Sequence, residues 1–190
     1  MTDDTIDRLA GIPPGSPLDA ARRQRAQARD NAQLSFDLLL HPDDPGGFEI
    51  VERWAVAAFI AGLHKQPDCA AFYADGLAVR DPAMAPRIAA EARNAVGRGP
   101  YGAYPRGPLS TEDAPGPDYP ADPTLGPRLA AALSHAQMLV LHPRDAAPGH
   151  LQALVIAGWT TPQIVTLSQL AAFLSFQIRA VAGFRAMLAA

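Results

Sequence analysis

The feature that most constrains the fold is one stretch, residues 48–63, that carries apolar side chains on nearly every face of a helix after its first turn. A helix with this pattern is buried on all sides. Glu49 and Glu52 place negative charge at the positive end of its dipole, and Pro67 ends the run because proline cannot continue a helix. A second helix is predicted to begin at or near Pro67 and to carry Cys69, the only cysteine.

The rest of the chain also favours helices, and no alternating pattern typical of β-strands competes. Residues 16–29 are predicted to form a helix with a solvated, arginine-rich side. Residues 31–40 are predicted to form a short helix anchored by Leu34, Phe36 and Leu38. Further helices are predicted over residues 82–96, 129–141, 151–157 and from 160 towards the last residue. The sequence therefore predicts an all-α protein.

Composition suggests two parts. Residues 1–30 are predicted to be an N-terminal arm and helix, with residues 1–15 loose, and residues 31–190 a single helical domain. That domain includes a loop, residues 97–127, which is rich in proline and glycine.

Three of the four tyrosines, Tyr101, Tyr104 and Tyr119, fall in this long loop. Aromatic rings bury large areas. We therefore expect the loop to be pinned across the body of the protein or across a neighbouring subunit.

Composition and charge exclude several functional classes. The 190 residues are 48% apolar and 18% charged, which fits a compact globular chain. The net charge of −3 gives no electrostatic reason to expect nucleic acid, and no polybasic patch for a membrane is present. A single cysteine excludes an internal disulfide and a Cys-x-x-Cys unit. The acidic first residues lack the apolar core of a signal peptide, so we expect a cytoplasmic protein that does not span a membrane.

The candidate catalytic residues lie around the corner between the two central helices: Glu52, His64 and Cys69. Cys69 would be the third residue of its helix, where backbone N–H groups favour a thiolate, but Asp68 opposes this and the spacing also fits plain burial. The inert interpretation is favoured. His64 is either a base or a helix-terminal residue that binds carbonyls.

Glu52 has no partner on its own helix, whereas Glu49 can pair with Arg53. Glu52 is therefore either a dipole complement or a carboxylate that faces the interior. Arg179 has a similar apolar setting, and buried charges need partners. We hypothesise that Glu52 and Arg179 meet inside the fold.

Metal and cofactor sites are not expected. His135 and His142 lie seven residues apart on one predicted helix face, and no neighbouring His-Glu cluster completes a ligand set. Trp54 and Trp159 are expected to be packing residues.

Two stretches resemble the carboxymuconolactone decarboxylase and alkylhydroperoxidase D superfamily, in particular its uncharacterised peroxidase-related branch. One is ERWAVAAFIAGLH, residues 52–64. The other is residues 154–183, where a Gly-Trp-Thr turn, a proline helix start and an ending with phenylalanine and arginine follow in family order. The likeness covers roughly residues 31–190. It implies an alkylhydroperoxidase D-like helical bundle that assembles into homo-oligomers.

The resemblance also implies an antioxidant oxidoreductase, but the catalytic motif is altered. The family motif is Glu, eleven residues, Cys-x-His-Cys, three residues, His. Glu52 matches, while His64, Pro67 and Ala71 occupy the two cysteine positions and the final histidine position. A peroxidase would therefore use Cys69 alone, with an external thiol to reduce its sulfenic acid. The alternative is a catalytically degenerate helical oligomer that binds a small ligand or a partner protein.

Overall fold

The computed structural model describes residues 4–97, 105–114 and 116–190, and within these ranges the regular structure is helical. This confirms the all-α class. The finer expectation of an alkylhydroperoxidase D-like bundle stays a prediction. The α-helices of the described residues are α1 Thr5–Ala10, α2 Pro17–Arg23, α3 Ala26–Leu40, α4 Ile50–Leu63, α5 Pro67–Arg80, α6 Met84–Ala95, α7 Pro127–Leu141, α8 Pro148–Ile156 and α9 Thr161–Ala189.

Helix α4 is the centre of the fold, as its sequence predicts. It packs against α5, α6, α7 and α9, and nearly all of its side chains are buried. Glu49 is its N-cap, and a capping box joins Glu49 and Glu52. Two glycines let neighbouring helices approach: a Cβ on Gly62 would crowd Ala92 of α6, and a Cβ on Gly76 of α5 would overlap the Trp54 ring.

The N-terminal segment is packed, so the prediction of a loose arm over residues 1–15 is wrong for its described part. Asp4 caps α1, and Ile6 and Leu9 join the hydrophobic core. The proposed boundary after residue 30 falls inside α3, and the core is continuous across it. Short helices of this kind escape periodicity arguments because they contain too few residues to show a pattern.

The arginine-rich side of α2 and α3 is not simply solvated. Arg22 pairs with Asp4 and Asp7, and Arg29 pairs with Asp4, Asp7 and Asp19. Burial and, secondly, Asp4 raise the pKa of Asp7. This ion network holds α1 against the two helices that follow it.

Helix α3 buries a different face from the predicted one. Phe36 and Leu40 are in the core, whereas Leu34 and Leu38 are 53% and 59% exposed. The predicted anchors at positions 34, 36 and 38 cannot share one helix face, because residues two apart point about 200° apart. Only Phe36 is confirmed as an anchor.

The proline-rich loop is pinned where it is described. The Tyr119 hydroxyl donates to Glu91 of α6, its ring stacks on Phe59 with centroids 6.1 Å apart, and Ala121 is buried. This confirms the expectation for Tyr119. Tyr101 and Tyr104 lie outside the described residues.

Helix α9 crosses the whole fold. Its 29 residues are long and apolar enough to span a membrane by length and composition, and 44% of the relevant window is buried. The buried face includes Leu167, Leu174 and Ile178 and packs against α4 and α7. A core helix gives this same combination, so the finding is weak support for a membrane span.

Candidate functional site

Glu52, the first predicted catalytic residue, is held by an arginine that the sequence analysis did not single out. Its Oε1 atom accepts from Arg128 Nε at 2.9 Å, and its side chain is 20% exposed. Arg128 also donates to the backbone oxygen of Gly47 at 2.7 Å and to Gln163 Oε1 at 3.2 Å, and it stacks on the Trp159 ring at 3.9 Å. Glu52 is therefore a structural charge that ties together the starts of α4, α7 and α9.

The hypothesis that Glu52 meets Arg179 is wrong. Gln163, which shares Arg128 with Glu52, lies at the start of α9, whereas Arg179 lies sixteen residues further along the same helix. That separation corresponds to about 24 Å at 1.5 Å per residue. Arg179 is exposed and lines a groove between α7 and α9.

Backbone oxygens, rather than the predicted pairing with Glu49, hold the side chain of Arg53 in place. Its guanidinium is buried and donates to the backbone oxygens of Phe48, Leu39 and Pro45 at 2.7, 2.8 and 2.9 Å. Burial lowers the pKa of Arg53. The side chain therefore fastens the loop between α3 and α4.

His64, the second predicted catalytic residue, caps the C-terminal end of α4. Its Nε2 atom lies 3.3 Å from Ser175 Oγ of α9. Burial and, secondly, the charge of Arg179 lower the pKa of His64 from 6.5 to about 4. The ring is neutral near pH 7 and links two helices.

Cys69, the third, is a poor nucleophile in this fold. It is 1% exposed and lies on the buried face of α5 with Tyr73 and Leu77, as its spacing predicts. Burial raises the pKa of the Cys69 thiol; Arg185 opposes this effect and Asp68 adds to it. Thiolate formation is therefore disfavoured at neutral pH.

The three predicted catalytic residues do not form one site. Glu52 and His64 lie at opposite ends of α4, about 18 Å apart along its axis. The charged groups that act on Cys69 are Arg185 and Asp68, and neither Glu52 nor His64 is among them. A proton relay from Glu52 to Cys69 therefore has no geometric support.

A different part of the molecule has the features of a binding site. A pocket of about 360 Å³ opens between α7, α8 and the pinned loop. Its walls combine apolar surface with a small number of polar groups, as ligand pockets do. The lining residues are Asp118, Tyr119, Pro120, Ala131, Ser134, His135, Gln137, Met138, His142, His150 and Ala153.

His135 is the unusual group of this pocket. It is 6% exposed, and its Nε2 atom lies 3.3 Å from Ser168 Oγ of α9. Its other ring nitrogen, Nδ1, is buried without a hydrogen-bond partner, the one such side-chain atom in the described part of the chain. Burial and, secondly, His150 lower the pKa of His135 from 6.5 to about 4. A buried polar atom without a partner is costly, which makes this position notable.

His142 forms a wall of the pocket and is fixed on both sides. Its Nδ1 atom lies 3.1 Å from Asp145 Oδ2, and its Nε2 atom lies 3.1 Å from Gln137 Oε1. Asp145 also accepts from the backbone N–H of Gly116 at 3.0 Å, and a Cβ on Gly116 would overlap the His142 ring. His142 is the C-cap of α7, so it does not continue the helix face of His135 as the sequence predicted.

Tyr119, which also lines the pocket, is held in place by Glu91 of α6. The Tyr119 hydroxyl donates to Glu91 Oε2 at 2.5 Å, and the backbone N–H of Asp122 donates to the same oxygen at 3.1 Å. Burial, followed by Glu91, raises the pKa of Tyr119. The phenol therefore keeps its proton and acts as an anchor for the loop.

Sequence reasoning missed the pocket because its parts come from distant segments. One signal was available: Ser168 and Ser175 lie seven residues apart on α9, on the same face. Ser168 contacts His135 and Ser175 contacts His64, the two histidines whose pKa is lowered to about 4. As for metals, no group of three or more His, Cys, Asp or Glu side chains in the described ranges is arranged to hold an ion.

Comparison with known proteins gives no further identification. No protein-family model, curated protein or solved structure matches the chain significantly.

Proposed function

We propose that this chain is a helical ligand-binding protein whose site is the pocket between α7, α8 and the pinned loop. The observation that carries this proposal is the pocket itself, which is large enough for a small organic molecule and combines apolar walls with a small number of polar side chains, His135 among them.

The burial and the raised pKa of Cys69 favour this function over one-cysteine peroxide reduction. A peroxidase needs a thiolate that peroxide can reach. Cys69 is 1% exposed and has a pKa that burial raises, with the charge of Arg185 only partly opposing this effect. We therefore expect the family chemistry implied by the resemblance to be lost in this chain.

Two measurements test the loss of peroxidase chemistry. The first follows hydrogen peroxide consumption by the full chain with excess dithiothreitol, alongside a Cys69→Ala variant. The second follows the reaction of the native thiol with a chromogenic disulfide. We expect the same background rate for both proteins and a thiol that reacts only on unfolding. Turnover that depends on Cys69 would favour the peroxidase.

Ligand binding is tested by a fragment mixture observed by ligand-detected NMR. We expect one or more fragments to bind the wild type and to lose binding in a His135→Leu variant. A His64→Leu variant is the matched control, because it removes a histidine with the same pKa of about 4 and the same kind of serine contact outside the pocket. Fragment binding that is absent, or equal in wild type and His135→Leu, would contradict the proposal.

The kinship with alkylhydroperoxidase D-like bundles, the homo-oligomeric state and the cytoplasmic location stay predictions. The exposed apolar side chains Leu151, Val155 and Ile156 of α8 are compatible with assembly. Sedimentation velocity of the full chain tests the oligomeric state directly.

A further inference from the structure

The groove between α7 and α9 carries charge of one sign. Arg144, which follows α7, and Arg179 of α9 both line it, and its lining in the described part of the chain contains neither aspartate nor glutamate. The chain as a whole has more acidic than basic side chains, 19 against 16. A cleft with one sign of charge and apolar walls concentrates its electric field and attracts ions of the opposite sign. The groove therefore favours an anion.

Apolar side chains form the other part of this groove. Leu139 and Val140 of α7 line it together with Phe176 of α9, whose side chain is 55% exposed. The cavity has a volume of about 970 Å³, near the upper end of the roughly 300–1,000 Å³ that small-molecule sites occupy. An anion that fits this surface carries an organic body as well as a charge.

The two serines of the groove are engaged with the protein itself. The Ser168 hydroxyl donates to the backbone oxygen of Ile164 at 2.9 Å. Ser175 Oγ lies 3.3 Å from His64 Nε2. Recognition of a ligand's polar end therefore falls to the two arginines.

Arg179 has no counter-ion of its own. It is the one Asp, Glu, Lys or Arg side chain in residues 146–184. The ion pairs found among the described residues involve other cationic side chains. Its charge is felt at His64, whose pKa is lowered by burial and, secondly, by Arg179. A positive charge that no carboxylate neutralises therefore stands at the wall of an apolar groove.

We propose that the groove between α7 and α9 is a second binding site, which takes a small organic carboxylate with an apolar body. The guanidinium of Arg179 binds the carboxylate, because the arginine fork matches its two oxygens, and Arg144 adds a second positive charge. The body packs on Leu139, Val140 and Phe176. The groove shares no lining residue with the pocket of the proposed function, so the two sites stand or fall separately.

Four probes test the charge and the apolar body in turn: phenylbutyrate, phenylbutanol, phenylbutylamine and acetate. Each is titrated into the full chain near neutral pH and at low salt by calorimetry, and backbone amide NMR locates the site. We expect phenylbutyrate to shift the amides of residues 139–144 and 168–180. Phenylbutanol, which lacks the charge, should bind at least about tenfold more weakly, and phenylbutylamine more weakly still. Acetate, which lacks the apolar body, should also lose at least about tenfold.

Arginine variants make the test specific to the groove. Arg179→Gln should weaken phenylbutyrate binding at least about tenfold and leave phenylbutanol binding nearly unchanged, which also reports that the variant is folded. Arg144→Gln should act in the same direction with a smaller effect. The matched control is Arg25→Gln, because Arg25 is an exposed arginine that lines a separate cavity next to Phe176. This control should bind phenylbutyrate as the wild type does.

Several outcomes would overturn the assignment. One is the absence of phenylbutyrate binding, and another is phenylbutanol or acetate binding as tightly as phenylbutyrate. A third is an equal loss in Arg179→Gln and Arg25→Gln, because the anion would then respond to the surface charge as a whole. A fourth is a change of oligomeric state in Arg179→Gln by sedimentation velocity, because a second copy of the chain would then cover the groove.

Discussion

Two histidines make the same kind of contact with α9, but the surroundings of their rings differ. His64 and His135 each place Nε2 at 3.3 Å from a serine of α9, and burial lowers the pKa of each to about 4. His64 sits at a helix end, partly exposed, with Arg179 as its main charged neighbour. His135 lines a pocket, and its second nitrogen is buried without a hydrogen-bond partner.

The comparison shows that a lowered pKa does not by itself mark a functional histidine. Both rings are neutral at pH 7 because both are desolvated. What distinguishes His135 is that it lines a pocket, which α7, α8 and the pinned loop build together. The position of this loop is therefore the part of the structure on which the difference depends.

The largest effect is expected from Gly116→Ala, which disturbs the packing of the pinned loop against the pocket wall. The added Cβ would overlap the His142 ring, which is hydrogen-bonded on both sides. We expect the free energy of unfolding to fall by up to about 3 kcal/mol, as for overpacking elsewhere. Urea denaturation measures this.

The matched control is Gly183→Ala, an exposed α9 position where an added Cβ contacts nothing within 4 Å. It should be neutral or slightly stabilising, because alanine is the better helix former. Equal stability of both variants would mean that the loop does not depend on the His142 contact and that the pocket is not pre-formed.

The second effect is a loss of stability in mild acid, which tests the property that His64 and His135 share, a lowered pKa. A pKa of about 4 in the folded state and 6.5 in the unfolded state means that the unfolded state binds more protons between these values. Stability is therefore complete above about pH 6.5 and falls as the pH falls towards 4. His135 alone should contribute about 2 kcal/mol of loss between about pH 8 and pH 5.

The measurement is urea unfolding of wild type and His135→Leu across this range. The variant should show a shallower decline, and His64→Leu should change the slope in the same direction. A decline of the same size in wild type and in both variants would show that other groups cause it.

The third effect concerns the buried position of Cys69 near the start of α5. Cys69→Ser places a hydroxyl at a site that is 1% exposed. We expect a loss of roughly 1–2 kcal/mol in unfolding free energy, because a buried hydroxyl needs a partner. Cys69→Ala is the control for lost volume. A serine variant more stable than the alanine variant would mean that the hydroxyl finds a hydrogen-bond partner, such as water, at this buried position.

The smallest effect is expected from His150→Asn at the mouth of the pocket. His150 lowers the pKa of His135, so its removal should raise that pKa. Unfolding free energy should change by no more than about 0.5 kcal/mol, as for most surface positions. An NMR pH titration of His135 measures the shift, and a fall in its pKa would contradict the interpretation.

The central helix could be predicted because its pattern is local. Residues 48–63 are apolar on all faces, and the capping acids and Pro67 set its ends. The burial of Cys69 beside Tyr73 was also visible from their spacing on α5. In each case the sequence within one helix was sufficient.

The contacts between distant segments could not be predicted. Glu52 pairs with Arg128, 76 residues away, and both arginine and glutamate have many possible partners in this chain. The His135–Ser168 contact joins residues 33 apart, and it depends on how α7 packs against α9. A sequence pattern does not contain this geometry.

The docking of α1 against α9 has a consequence for how the chain is made. Arg185 donates to the backbone oxygen of Leu9 at 2.7 Å, so the contact joins residues 176 positions apart. Helix α1 therefore meets this partner only after the chain has been synthesised as far as Arg185. Until then Ile6 and Leu9 lack the part of their packing surface that α9 provides, so α1 completes its docking late in folding, although α2 and α3 can pair with it earlier.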